Sequence, residues 1–308
     1  MVDRAGTRDS AELRDKRRAE NFPVALRVLP GRLRDHLVAV YDFARVVDDL
    51  GDEAAGDRVA LLDAFAADLA SIWDGGVPRA AVLRRLSATV HACGLPREPF
   101  ENLVEANRWD QRISRYPAYP DLLAYCALSA NPVGRIVLSI FASQTKAFDR
   151  SGPRASRGGP EPVVVELSDR VCTALQLVEH CQDVAEDRRA GRVYLPAEDL
   201  AAYGVTEKDL DGVQTPEAVR RLLAFQTDRA AALLDSGAPL VRMLQGWARL
   251  AVAGYVAGGR AAVDALHRAR WDVLAQTPRV RRRDVVRHGL RLLVLPGAAA
   301  ERSEREAQ

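Results

Sequence analysis

Apolar residues recur at three- and four-residue intervals along nearly the whole chain, the spacing of one helical face, and sustained period-two alternation is absent. The only β-branched run is Val163–Val165. Good helix formers such as Ala, Leu, Arg and Glu supply most of the pattern, and Gly and Pro punctuate it. Pro30-Gly31 precedes a predicted helix running to about Leu50. A second runs from Ala54 to about Trp73, stopped by Asp74-Gly75-Gly76. Pro78 suits the first turn of a third, which ends near Gly94. Pro99 opens a fourth towards Arg115, Pro120-Asp121 a fifth, and Asn131-Pro132 breaks the chain before a helix over Val133–Phe148. The low-complexity stretch Ser151–Pro162 reads as a flexible loop rather than a domain linker. One long helix follows from about Val164 to Arg189, and further helices cover Pro216–Ser236, Pro239–Arg268 and Arg282–Leu295. The tail after Pro296 is polar and expected to fray. The predicted fold class is all-α: one helical domain over residues 1–308, with flexible ends at 1–12 and 297–308.

Two of these helices carry polar stripes that interrupt their apolar surroundings. At about 100° per residue, Tyr41, Arg45, Asp48 and Asp52 fall within roughly 60° of arc, and Gln176, Glu179, Asp183 and Asp187 within about 80°. Each stripe places two aspartates at i, i+4. A solvated face normally mixes charge signs, because like charges at that spacing repel by a few tenths of a kcal/mol. Two such stripes, about 130 residues apart on either side of the flexible loop, suggest carboxylates meeting across a cavity within one helical domain. Hard oxygen ligands of this kind suit Mg²⁺, which is commonly held by one or two carboxylates plus substrate phosphates.

Composition narrows the remaining choices. Of 308 residues, 48% are hydrophobic and 28% charged, enough to build a sizeable core, and the net charge of +2 gives no argument for nucleic acid. Cys93, Cys126, Cys172 and Cys181 show no CxxC spacing and sit in apolar helical patterns, which reads as buried free thiols in a reducing cytoplasm. The charged N-terminus lacks the apolar core of a signal peptide, and no run approaches the roughly 18 apolar residues of a membrane span. A cytoplasmic chain, at most peripheral to a membrane, is expected. The five histidines are scattered, and neither a Rossmann nor a P-loop fingerprint is present. Gly254, Gly258 and Gly259 lie inside a helical pattern with no preceding strand, so close helix packing is their better reading.

Two facing acidic helices bridged by Mg²⁺ would bind a diphosphate and neutralise it as a leaving group, exposing an allylic carbocation to the pocket. Arg45 lies one turn before Asp48, and Arg188, Arg189 and Arg192 follow the second stripe, where they could close over phosphate oxygens. The alternative is that these arginines offset nearby acids on a solvated surface. Tyr41, Phe22, Tyr125 and Tyr194 lie near the motifs; a tyrosine ring can stabilise a cation and its hydroxyl can relay a proton. A half-buried core tyrosine is the competing reading for Tyr125 and, more strongly, for Tyr255.

These residues resemble the squalene/phytoene synthase family over about Glu20 to Leu274. The resemblance is carried by the two aspartate motifs, by Tyr41 and Arg45 before the first, and by Gly191-Arg192-Val193-Tyr194-Leu195-Pro196 after the second. It implies an isoprenoid-synthase helical bundle around a central cavity, Mg²⁺ as cofactor and prenyl diphosphates as substrates. It also implies Asp48, Asp52, Glu179, Asp183 and Asp187 as metal ligands and Tyr41, Tyr125 and Tyr194 as catalytic residues. Asn21, Phe22, Tyr41, Arg45, Gln176, Arg188 and Arg192 are the implied substrate-binding set. Glu20-Asn21-Phe22-Pro23-Val24-Ala25 and Ser129-Ala130-Asn131-Pro132-Val133-Gly134 are similar to segments of bacterial hydroxysqualene synthases of hopanoid pathways. That branch ionises presqualene diphosphate and quenches the rearranged cation with water, without NADPH.

Two positions depart from the family pattern. Glu179 stands where the family has a metal-binding asparagine, and Gln182 where several relatives place a phosphate-touching arginine. Other family products (presqualene diphosphate, squalene or phytoene) are the alternatives, and a non-catalytic helical assembly protein of the same fold is the rival of a different class. A terpene cyclase would space its second metal motif differently. The amphipathic segment Val285–Leu295, together with greasy substrate and product, raises the expectation of a peripheral membrane contact. Other enzymes of the hopanoid/squalene pathway are the protein partners this reading implies.

Overall fold

In the computed structural model, residues 29–144 and 160–294 are described, and they are helical with no strand among them; Arg115 and Val193 form an isolated parallel bridge. In chain order the helices are α1 (Gly31–Asp52), α2 (Arg58–Ala70), α3 (Ala81–Cys93), α4 (Glu98–Asp110), α5 (Tyr119–Ser129), α6 (Asn131–Gln144) and α7 (Pro162–Gln182). They continue with α8 (Val184–Arg189), α9 (Ala197–Ala202), a 3₁₀ turn (Glu207–Leu210), α10 (Glu217–Gly237), α11 (Leu240–Met243), α12 (Gly246–Arg268) and α13 (Arg282–Val294). The expected flexible ends at 1–12 and 297–308, the segment Glu20–Ala25 and most of the loop 151–162 lie outside the described residues.

The helix boundaries follow local chemistry. Gly56 takes a positive φ of 92°, and Asp57 then caps α2 by accepting from the Ala60 N–H at 3.0 Å, so this helix starts later than Ala54. Gly94 ends α3 in the left-handed region at φ 62°. The fourth helix stops at Asp110, short of Arg115. The expected break at Asn131-Pro132 is instead the opening turn of α6, since proline is tolerated where its missing N–H has no intrahelical partner. The helix expected over Pro239–Arg268 is divided, with Gly246 at φ 55° between α11 and α12.

One further division lies at the site. The helix expected to run unbroken from Val164 to Arg189 divides at Asp183, whose backbone sits at φ −103°, ψ 18°, in the bridge region. Asp183 still donates its N–H to the Glu179 carbonyl, and its own carbonyl accepts from Glu186 and Asp187, each at 2.9 Å. It joins α7 to α8 through one non-helical residue in the middle of the stripe.

The core is layered around α7, which packs against α10, α6, α12 and α5. One apolar cluster, including Leu37, Phe43, Phe100, Ile136, Phe141 and Val256, fills the space between α1–α4, α6 and the start of α12. A second, including Tyr116, Tyr125, Leu177, Tyr194, Leu222 and Leu266, lies beneath the ends of α4, α7 and α12. Gly259 is one place where helices touch closely: a Cβ there would stand 2.5 Å from Leu175 Cδ2 and 2.9 Å from Leu234 Cδ2. Gly258 opens on free space, so the packing argument holds for Gly259 and not for Gly258. Cys93, Cys126 and Cys181 are buried free thiols, and Cys172 is half-buried. By length and mean hydropathy the stretch Tyr119–Gln144, spanning α5 and α6, passes the test of a membrane-crossing helix that the sequence reading found nowhere. More than half of its most apolar window is buried inside the protein, as a core helix would be.

Candidate active site

The first stripe lies on α1, and α4 packs beside its C-terminal half. Asn107 Nδ2 donates to Asp48 Oδ1 at 3.2 Å, and Gln111 Nε2 donates to the Gly51 carbonyl at 2.9 Å. Only glycine permits this approach, because a Cβ at position 51 would fall 2.3 Å from Asn107 Oδ1. On the same stripe, Arg45 pairs within its own helix, Nε to Asp49 at 3.2 Å and Nη2 to Glu53 at 3.8 Å. Tyr41 is half-buried one turn earlier.

The second stripe meets the first through the segment that follows α8. Gly191 turns the chain at φ 83°, and Val193 then runs parallel to Arg115, donating its N–H to the Ser114 carbonyl at 3.0 Å. Arg115 Nη1 donates to the Gly191 carbonyl at 2.7 Å. This anchoring aims Arg192 across the cleft, where Nη1 lies 2.8 Å from Asp52 Oδ1. Its Nε is buried without a hydrogen-bond partner, a donor left for something else to accept.

Tyr194 follows on the same segment. Its hydroxyl donates to Asp110 Oδ1 and that of Tyr125 to Oδ2, both at 2.7 Å. Tyr116 stacks on Tyr194 with ring centroids 5.7 Å apart, and its own buried hydroxyl has no partner. His180 stacks on the Tyr194 ring at 4.0 Å, sits 3.4 Å from Gln176 Nε2, and has Nδ1 3.8 Å from Asp187 Oδ2.

The electrostatics of the cleft are those of crowded carboxylates. Solvent reaches Asp48 and Glu179, yet protein closely surrounds both, as it does side chains on a concave wall. That desolvation pushes Asp48 up to about 6, assisted by the Asp52 charge and opposed by the Asn107 hydrogen bond. It pushes Glu179 up to about 7, with Asp183, Asp48 and Asp187 adding to the rise. Asp183 is raised to about 6 by burial, then by Asp187 and Glu186. Burial also raises Asp110, against the two tyrosine hydrogen bonds.

Among the described residues, no three His, Cys, Asp or Glu side chains are gathered into a ready-made metal group. The donor set nonetheless fits Mg²⁺ or a similar hard cation. It is all carboxylate oxygen, the Asp48 and Glu179 side chains lie close enough for one charge to act on the other, and Arg192 reaches Asp52 from the segment after α8. An open set of this kind leaves coordination positions for phosphate oxygens, unlike a closed protein cage.

The pattern of the squalene/phytoene synthase family matches residues 15–284. The chain belongs to that family. It is 33% identical over 237 residues to a hydroxysqualene synthase of Rhodopseudomonas palustris, covering 75% of this chain and 74% of the relative. It is also 33% identical over 215 residues to a presqualene diphosphate synthase of the same organism, covering 69% and 71%. Among solved structures, the squalene synthase HpnC of Alicyclobacillus acidocaldarius superposes with a TM-score of 0.73 at 38% identity, over 86% of this chain and 95% of that one. Family members act on prenyl diphosphates, and they generally use divalent metals.

Against that family background, several residues expected at the site take other places. Arg188 binds Glu207 of the 3₁₀ turn and Asp211 just after it, with Nη1 2.5 Å and Nε 2.6 Å from their carboxylates. Arg189 is exposed. Gln182 donates to the Pro278 carbonyl at 2.9 Å and is engaged there. Asn21 and Phe22 lie outside the described residues. The segment Ser129–Gly134 ties α6 to α7, with Thr173 Oγ1 donating to Asn131 Oδ1 at 2.8 Å. Sequence reading missed Asn107 and Asp110. No local signal singled them out, because α4 also carries Glu98, Glu101, Glu105 and Arg108.

Proposed function

We propose that this chain is a head-to-head isoprenoid synthase that converts presqualene diphosphate to hydroxysqualene. The observation that supports the diphosphate chemistry is the Arg192–Asp52 pair, which ties the segment after the second acidic stripe to the last turn of the first, with Asp48 near enough to act on Glu179. The hydroxysqualene branch is supported by the Ser129–Gly134 and Glu20–Ala25 resemblances and by the hydroxysqualene synthase relative.

In this reading Asp48, Asp52, Glu179, Asp183 and Asp187 would hold Mg²⁺, which when bound neutralises the diphosphate and makes it a better leaving group. Arg192 offers its buried Nε–H to a phosphate oxygen. The carbon–oxygen bond to the diphosphate breaks with its electron pair leaving on oxygen, so the wall opposite must tolerate a carbocation. The buried aromatic cluster of Tyr116, Tyr125, Tyr194 and His180 backs that wall and would give it electron-rich, non-nucleophilic surroundings. Asp110 fixes the two tyrosine hydroxyls, whose oxygens retain lone pairs to orient the capturing water. The proton that water loses on bonding to carbon can pass through a tyrosine hydroxyl to Asp110. Arg45 and Gln176, half-buried on the two stripes, would complete the polar wall around the diphosphate, with Tyr41 beside them.

The test supplies presqualene diphosphate and farnesyl diphosphate separately, with Mg²⁺ and without NADPH, and identifies products by mass spectrometry. Hydroxysqualene from the first and little product from the second is the expected result. Presqualene diphosphate accumulating from farnesyl diphosphate would move the chain to the neighbouring branch.

A further inference from the structure

Helix α13 is the most lopsided element of the fold. Its inner face, with the half-buried Leu292 and Leu293, packs on the core, and Asp284 is buried there, paired with Arg268 at 2.7 Å. Its outer face carries Val286, Leu290 and Val294 at 60%, 57% and 71% exposure. Residues spaced by four share one face of a helix, so these three form a single stripe about 80° wide. Scattered exposed apolar residues need no explanation, but an aligned stripe does.

The charge beside the stripe indicates what covers it. From Arg279 to Arg291 the chain has six arginines against one aspartate, a local charge of +5 in a protein whose total is +2. Arg287 is held by Asp264 at 2.6 Å. Arg281, Arg282, Arg283 and Arg291 are exposed and form no ion pair with a described residue, in a fold that pairs most of its other arginines. At the far end, Arg249 Nη2 donates to the Leu293 carbonyl at 3.0 Å, which ties the first turn of α12 to the end of α13 and leaves the stripe on the outer side. A protein partner of ordinary composition would match an apolar stripe with scattered acids. Unpaired arginines beside an apolar ridge match a plane of negative headgroups over hydrocarbon.

We propose that α13 is an interfacial helix that seats this protein on an anionic lipid bilayer, with Val286, Leu290 and Val294 entering the acyl boundary and the arginines lying among headgroups. The inference is independent of the reaction catalysed.

The full-length protein would be sedimented with vesicles of pure phosphatidylcholine and of phosphatidylcholine with phosphatidylglycerol. Binding should be confined to the phosphatidylglycerol vesicles and should weaken as salt rises, since headgroup attraction is screened within a Debye length. Arg282→Gln with Arg283→Gln should reduce partitioning on the order of tenfold, by the contribution of each basic residue near such a surface. Val286→Asp with Leu290→Asp should abolish it, while thermal unfolding and turnover in detergent stay at wild-type values. Equal binding to both vesicle types, or none, would overturn the proposal. So would a wild-type dimer in analytical ultracentrifugation that Val286→Asp with Leu290→Asp converts to monomer, because a second copy would then cover the stripe.

Discussion

Arg192 Nη1 stands 2.8 Å from Asp52 Oδ1 across 140 residues of sequence, and it joins the segment behind the second acidic motif to the last turn of the first. The guanidinium is mostly buried whereas Asp52 is half exposed, so the pair is held from the Arg192 side, by the bridge between Val193 and Arg115. Arg192→Gln should therefore cost on the order of 10²-fold in kcat, the usual effect of removing a preorganised donor from a developing anion. Steady-state kinetics with presqualene diphosphate would measure it. A kcat within threefold of wild type would remove Arg192 from the phosphate site.

Turnover should need a divalent cation, and Asp48→Ala or Asp183→Ala should each remove nearly all of it. These carboxylates lie in a cleft where burial already raises their proton affinity, and without a cation that repulsion has no use. Assay in excess chelator is the direct measurement; undiminished product there would sink the metal reading.

Glu179 is solvent-accessible, and the charges of Asp183, Asp48 and Asp187 act on it. Glu179→Asn should keep activity and alter its Mg²⁺ dependence, and Glu179→Ala should weaken the metal response further. Superimposable Mg²⁺ titrations for all three proteins would show that Glu179 is not a ligand.

Gly51→Ala should destabilise the fold by about 1–3 kcal/mol, because the added methyl overlaps Asn107 and must push it off Asp48. Gly258→Ala faces open space inside a helix and should be neutral or stabilising by up to about 1 kcal/mol. Paired denaturant titrations would decide; equal effects of the two substitutions would refute the close approach of α1 and α4.

Arg115, then Arg188, hold the Glu207 carboxyl down to about 2 from its ordinary 4.5. A lowered folded-state value means the unfolded chain binds the proton more readily. The stabilisation is thus complete above about pH 5 and disappears as pH falls through 4.5 towards 2. Glu207 is largely exposed, so the effect should be modest. Glu207→Gln should flatten the unfolding midpoint between pH 5 and 2, a change that circular dichroism melts would detect.

Sequence alone determined the all-α class, most helix positions and the two acidic stripes, because helical periodicity and i, i+4 spacing are properties of a few consecutive residues. It also placed Arg192 and Tyr194 near the second motif, since both lie within eleven residues of Asp183. The tertiary structure decided what those residues touch. Asn107 and Asp110 come from α4, and nothing within that helix marks them as partners of Asp48 or of Tyr125 and Tyr194. Arg188 and Arg192 are four residues apart and chemically equivalent in the sequence, yet one is bound by the 3₁₀ turn and the other crosses to Asp52. The break at Asp183 was equally hidden, since its neighbours favour helix. Contacts between distant segments depend on how helices stack in three dimensions, and local pattern carries no record of that.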